Sequence, residues 1–132
     1  MKHLCVLTAT GAAELWSESD VLPGEDYELT VSRRLELSSF VVLLLSADYL
    51  YELYMRGAMQ KLEERAQQAT LIPVLTSPVD IRGTFVERIS PLPADGRFIT
   101  TWSNTEEAWF EVARALRDGL EACRAGAARI LN

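Results

Sequence analysis

The stretch from Glu14 to Ser46, ELWSESDVLPGEDYELTVSRRLELSSFVVLLLS, decides the fold. Its opening piece, Leu15-Trp16, is short and apolar and reads as the end of a strand. An acidic loop follows, with Leu22-Pro23-Gly24-Glu25-Asp26 at its centre and Pro-Gly as turn punctuation. Asp26 is placed to cap a helix. In that helix Tyr27, Val31 and Leu35 recur every four residues while Arg33-Arg34 point away, the pattern of a half-buried helix. Phe40 to Leu45 is an unbroken apolar run without alternation, which fits a parallel strand covered on both faces. Strand, exposed loop, helix and buried strand together make one parallel crossover unit.

Working outward, Asp48-Tyr49-Leu50 opens the next segment. Met55, Ala58, Met59, Leu62 and Ala66 then fall on one helical stripe with charges opposite. Leu71 to Leu75 reads as another buried strand, and Pro73 removes a ladder donor, which argues for an edge or an interrupted strand. The segment Thr76–Pro93 is rich in Pro and Gly, with Phe85, Val86 and Ile89 able to form one helical turn. Arg97 to Thr101 reads as the last short strand. Asn104 or Thr105 caps a final helix, with Glu106-Glu107 in its first turn, where the helix dipole favours acids. Ala108, Trp109, Val112, Ala113, Leu116 and Leu120 form its buried face, and the small-residue tail Ala122–Leu131 is expected to fray. At the amino end Leu4–Thr8 reads as a short strand, or equally as the last turn of a helix, and Gly11 breaks it. Strands alternating with helices predict an α/β fold, a mostly parallel sheet with helices on both faces.

With 132 residues and 48% hydrophobic content, the chain is read as a single domain, 1–132, with one core. Cys5 and Cys123 stand far apart with no CxxC, as reduced thiols in a cytoplasmic protein would. His3 is the sole histidine, which argues against a His-based metal site or a Ser-His pair. Net charge is −6 and no Lys/Arg cluster exceeds two, so neither nucleic acid nor an anionic membrane is an expected partner. No apolar run approaches the roughly 20 residues of a membrane span. There is no Walker loop, GxGxxG or metal-ligand cluster.

Several pieces, in order, carry a resemblance. Trp16 precedes the loop Pro23-Gly24-Glu25-Asp26-Tyr27. Leu44-Leu45-Ser46-Ala47-Asp48-Tyr49-Leu50 ends a strand, and Leu71-Ile72-Pro73-Val74 forms the next. Thr100-Thr101-Trp102-Ser103 is followed by Glu107-Ala108-Trp109 and Val112-Ala113. This series resembles bacterial TIR (Toll/interleukin-1 receptor) domains: the Pro-Gly loop looks like the BB loop, the Ser46 segment like the family's Ser-Pro-Asp-Phe-Leu, and the last series like its Thr-x-Trp-Ser…Glu-Ala-Trp-x-x-Val-Ala. The resemblance implies a flavodoxin-like, TIR-like sheet and one of two activities, cleavage of NAD or assembly with other TIR domains.

Two departures bear on the choice. His3-Leu4 matches the place where the family's first helix ends, so the first strand and most of that helix are absent, and the sheet is N-terminally truncated or rearranged. That strand is normally central, so its slot must be filled by Leu4–Thr8, antiparallel to its neighbour, or by another chain. The second departure is chemical. Counting from Ser46, the catalytic Glu of NAD-cleaving relatives falls on Met59, whose thioether cannot act as acid, base or counter-charge. Glu63, one turn later, is the alternative acid.

The resemblance thus implies a signalling and assembly domain working through TIR–TIR contact, without NAD cleavage, in bacterial signalling or defence. Its expected partner is itself or another TIR domain, in a homo-oligomer. The interaction loop would be Leu22, Pro23, Gly24, Glu25 and Asp26, and a pocket is expected from Trp16, Ser46, Asp48 and Tyr49. No cofactor is required. NAD would enter as ligand or substrate only under the alternatives: an NAD hydrolase or cyclase using Glu63 and active on oligomerisation, or an NAD-binding module without turnover.

Overall fold

The computed structural model describes residues 15–17, 20–37, 40–123 and 128–131. Elements run in the order β1 (Leu15–Ser17), α1 (Tyr27–Leu37), β2 (Phe40–Leu45), α2 (Ala47–Met55), α3 (Met59–Ala66), β3 (Thr70–Leu75), 3₁₀ turns at Phe85–Arg88 and Ile99–Thr101, α4 (Thr105–Cys123) and β4 (Ala128–Leu131). The fold is α/β, with an all-parallel four-stranded sheet in the order β1-β4-β2-β3.

β2 is buried along its whole length, and its pleat divides the core in two. Phe40, Val42 and Leu44 face Ala108, Val112, Leu116 and Leu120 of α4. Val41, Leu43 and Leu45 face Leu35 of α1, Tyr49 and Leu53 of α2, Leu62 of α3 and the turn residues Phe85 and Val86. Helices on both faces explain why β2 carries no polar position.

β3 is the sheet's edge, as Pro73 foretold. The Pro73 carbonyl accepts the Leu92 N–H at 2.9 Å, on the side away from β2, and Leu75 N–H donates to Leu92 O at 2.8 Å. The missing proline N–H points to that outer side, so the β2 ladder loses no donor. The Leu92 segment bridges the exposed edge at Val74 and blunts it.

Other expectations are corrected. The stripe from Met55 to Ala66 is not one helix. α2 stops in a Schellman motif: Ala58 N–H donates to Leu53 O at 2.9 Å, Gly57 N–H to Tyr54 O at 3.2 Å, and Gly57 sits at φ 68°. Met55 is 68% exposed and leaves the stripe. Arg97–Thr101 is not a strand. Its end is a 3₁₀ turn, with Thr101 N–H donating to Phe98 O at 2.9 Å and Trp102 N–H to Ile99 O at 3.1 Å.

The tail does not fray throughout, since Ala128–Leu131 forms β4. It lies between β1 and β2, parallel to both, with Ala128 paired to Leu15 and Phe40. Counting β4 as the first strand gives the order 2-1-3-4 of a flavodoxin-like sheet. The central slot is therefore filled from the far end of the chain and in parallel, where an antiparallel strand or a second chain was expected. α4 supplies the crossover that a parallel strand needs. Leu4–Thr8, His3 and Cys5 lie outside the described residues.

Candidate functional site

The loop Leu22–Asp26 holds itself together. Glu25 N–H donates to Leu22 O at 3.1 Å, and Leu22 N–H donates back to Glu25 Oε1 at 2.8 Å. Gly24 takes φ 91°, which an L side chain resists. Asp26 caps α1, its Oδ1 accepting from Leu29 N–H at 3.0 Å. All five loop residues are exposed, and Leu22 is 65% exposed. The loop is a pre-shaped apolar and acidic projection.

A cavity of about 60 Å³ opens just beyond the loop, between α1, α2 and the start of α3. Val31, Leu35, Tyr49, Leu53 and Leu62 give it apolar walls, and Glu28, Arg56 and Lys61 stand at its rim. Arg56 joins two of the helices: its Nη1 donates to Tyr27 Oη at 3.2 Å, its guanidinium lies 5.0 Å from the Tyr27 ring centroid, and Nη2 pairs with Glu52 at 3.3 Å. The volume is well below the roughly 300 Å³ at which ligand pockets begin. α3 contributes Lys61 and Leu62 to this space, and Ala58 just before it a methyl group: an ammonium and no carboxylate.

Met59 packs, partly buried, against the core formed by α1–α3. Glu63, one turn on, is tied to Arg88 at 3.1 Å and lines neither this cavity nor the groove described next. A second, open groove of about 320 Å³ runs between the carboxyl-terminal halves of α1 and α3, lined by Ser32, Glu36, Lys61, Glu64, Arg65 and Gln68 over Leu35. Both helices end where they feed β2 and β3, so the groove lies at the amino ends of the strands. Parallel sheets bind ligands at the opposite end. Glu64 there accepts a hydrogen bond from Gln60 at 3.2 Å.

The expected pocket residues are not brought together. Trp16 is level with Arg129 and Val41 across the sheet, while Ser46 lies beyond the end of β2. That separates them by about 16 Å along the strands and about 10 Å across. Ser46 Oγ is used locally, accepting Tyr49 N–H at 3.1 Å as the cap of α2. Asp48 is exposed in the first turn of α2, and Tyr49 is buried and lines the small cavity.

Sequence reading missed Arg56 and Gly57, whose signal was an Arg-Gly pair inside an apparent stripe. It also missed β4, for which Ile130-Leu131 was a faint signal. Among the described residues, no cluster of three or more His, Cys, Asp or Glu could hold a metal ion. No helix there is long and apolar enough to cross a membrane.

No family model matches the chain, and no solved structure matches it. The chain is similar to the uncharacterized protein y4lF of Sinorhizobium fredii, with 29% identity over 122 residues. The match covers 89% of this chain and 37% of that relative, so the chain spans little more than a third of the protein it matches.

Proposed function

We propose that the chain is a TIR-like signalling and assembly domain, acting in the cytoplasm through contact with itself or another TIR-like domain, and that it does not turn over NAD. The observation that carries this reading is the loop Leu22–Asp26, which is fully exposed, closed by its own hydrogen bonds and led by an outward apolar residue. A pre-ordered projection of this kind loses little entropy on docking. The flavodoxin-like strand order supports the TIR comparison, as does the loop's position between β1 and α1. A role in bacterial signalling or defence follows from that resemblance.

The geometry near the loop argues against NAD cleavage. Glycosidic cleavage needs a carboxylate beside the ribose. α3 offers Met59 packed inward and Glu63 held by Arg88.

The test is sedimentation velocity together with a fluorescent NAD-analogue assay, both run at high protein concentration. The expected result is self-association that Leu22→Glu weakens, and no turnover. Turnover abolished by Glu63→Gln or Glu64→Gln would overturn the non-catalytic reading.

A further inference from the structure

We propose that the outer face of α1 and α2 is a self-association surface, on which a second copy of this chain docks by two-fold symmetry, Arg33 of each copy against Asp48 of the other. α1 turns Val31 and Leu35 towards the sheet. Leu29, Arg33 and Leu37 recur every four residues on its opposite side. α2 turns Tyr49 and Leu53 inward, and Tyr51, Tyr54 and Met55 lie opposite them, with Asp48 one turn before Tyr51. Among the described residues seven large apolar side chains stand exposed, and five of them are on these two helices, at 49% to 76% exposure. A helix that is apolar towards the core and apolar outward calls for cover on both sides.

Area and charge together name the occupant. At about 200 Å² for a large side chain, the five present roughly 600 Å² of apolar surface. That equals the upper end of a monomer's largest patch, about 600 Å², and approaches the ~800 Å² that each partner gives to a standard interface. The stripe on α1 carries a cation at its centre, Arg33, and the stripe on α2 carries an anion at its start, Asp48. Both are exposed, and neither forms an ion pair among the described residues. α1 and α2 pack on the same face of the sheet and are linked through Arg56 and Tyr27. A two-fold axis between them lays α1 of each copy on α2 of the other. Both leucines then meet the Tyr51–Met55 stripe, and the Arg33–Asp48 contact is made twice. A face that holds both halves of its own contact is what an isologous dimer requires. A partner of one sign would satisfy only one of the two helices.

This deepens the assembly reading and rests on it only in that both require self-association. The contact lies on the helices and not on Leu22–Asp26, so the two are separable.

The test is sedimentation equilibrium on the full chain from about 1 µM to about 1 mM. The samples are Arg33→Asp, Asp48→Arg, the double variant, and an equimolar mixture of the two single variants. The expected result is a monomer–dimer equilibrium whose Kd rises on the order of a hundredfold in each single variant, because like charges replace both ion pairs. The double variant and the mixture recover the dimer to within about tenfold, since each restores opposite charges at both contacts. Should either reversal disturb the circular dichroism, Tyr51→Ser, at an exposed position, takes its place and is expected to weaken the dimer alike. A dimer indifferent to these changes overturns the proposal, and if Leu22→Glu dissolves that dimer the loop reading stands without it. Single variants that weaken the dimer with no rescue in the mixture also overturn it. A monomer throughout sinks both readings and leaves the face to another occupant, such as the remainder of a longer chain.

Discussion

Gly57→Ala tests the geometry on which the assignment of Met59 and Glu63 turns, because two arrangements give opposite signs. At φ 68°, Gly57 ends α2 in the left-handed region, with nothing within 4 Å of an added Cβ. The substitution therefore meets no clash, and its cost is backbone alone. A left-handed L residue costs about 1–2 kcal/mol. Stiffening the unfolded chain returns about 0.4–1 kcal/mol. The variant should be destabilised by about 0.5–1 kcal/mol. Had Met55 to Ala66 been a continuous helix, the same change would stabilise by about 0.8–1 kcal/mol. The two cases lie about 1.3–2 kcal/mol apart, roughly ten- to thirty-fold in the folding equilibrium. Urea denaturation followed by far-UV circular dichroism resolves this, with the midpoint expected to fall by about 0.3–0.5 M at an m-value near 2 kcal/mol/M. A rise in midpoint at unchanged m would refute the break between α2 and α3, and with it the placement of α3.

Gly119 makes the converse case: it lies inside α4, and a Cβ there would touch Phe40 ring atoms at an ordinary 3.6 Å. Gly119→Ala should stabilise by about 0.5–1 kcal/mol, read as a rise in Tm of roughly 3 °C. Arg82 holds the Asp80 carboxyl down to about 2, its guanidinium first and its backbone N–H second, both donating hydrogen bonds to the carboxylate. A group depressed in the folded state stabilises above its unfolded pKa, and that contribution is lost as pH falls from 3.8 towards about 2. Carbonyl NMR should show Asp80 titrating near 2, moving up towards the ordinary carboxylate value in Arg82→Ala. The Glu63–Arg88 pair is largely exposed, so Glu63→Gln should change stability by less than about 1 kcal/mol in thermal melts.

The sequence displayed what was strongly periodic or chemically singular. The unbroken run Phe40–Leu45 announced a strand buried on both faces, and Pro73 announced an edge. Asp26, and either Asn104 or Thr105, were readable as side chains able to accept helix N–H groups, and Asp26 and Asn104 do so. The losses have two causes. At Gly57 a local Schellman stop, closed by Ala58 N–H to Leu53 O and Gly57 N–H to Tyr54 O, ends a helix that the apolar stripe continues. At Arg97–Thr101 and Ala128–Leu131 the outcome is set by partners distant in the chain, which outweigh local pattern. Phe98–Thr101 turns because Thr100 N–H donates to Thr76 O at 3.0 Å, locking the segment against the end of β3. Ala-Arg-Ile-Leu has little strand character of its own, and it becomes β4 because β1 and β2 present it with paired rows of backbone groups.

The candidate site fared less well because of the local stop at Gly57. Counting from Ser46 to Met59 assumed one helix carrying a fixed register. The Schellman stop turns the chain at Gly57, so residue type at position 59 alone says little about what faces a ligand. The proposed absence of NAD turnover therefore rests on an arrangement and not on one residue's identity. The cavity nearest the Pro-Gly loop is about 60 Å³ and receives Lys61 from α3. The larger groove, which does receive Glu64, lies at the wrong end of the strands. A substrate in the first would meet an ammonium where an oxocarbenium-like centre needs a negative charge. Lys61→Glu reverses that charge without touching the loop. If an NAD analogue were still neither bound nor cleaved by this variant, space rather than charge would be what excludes it.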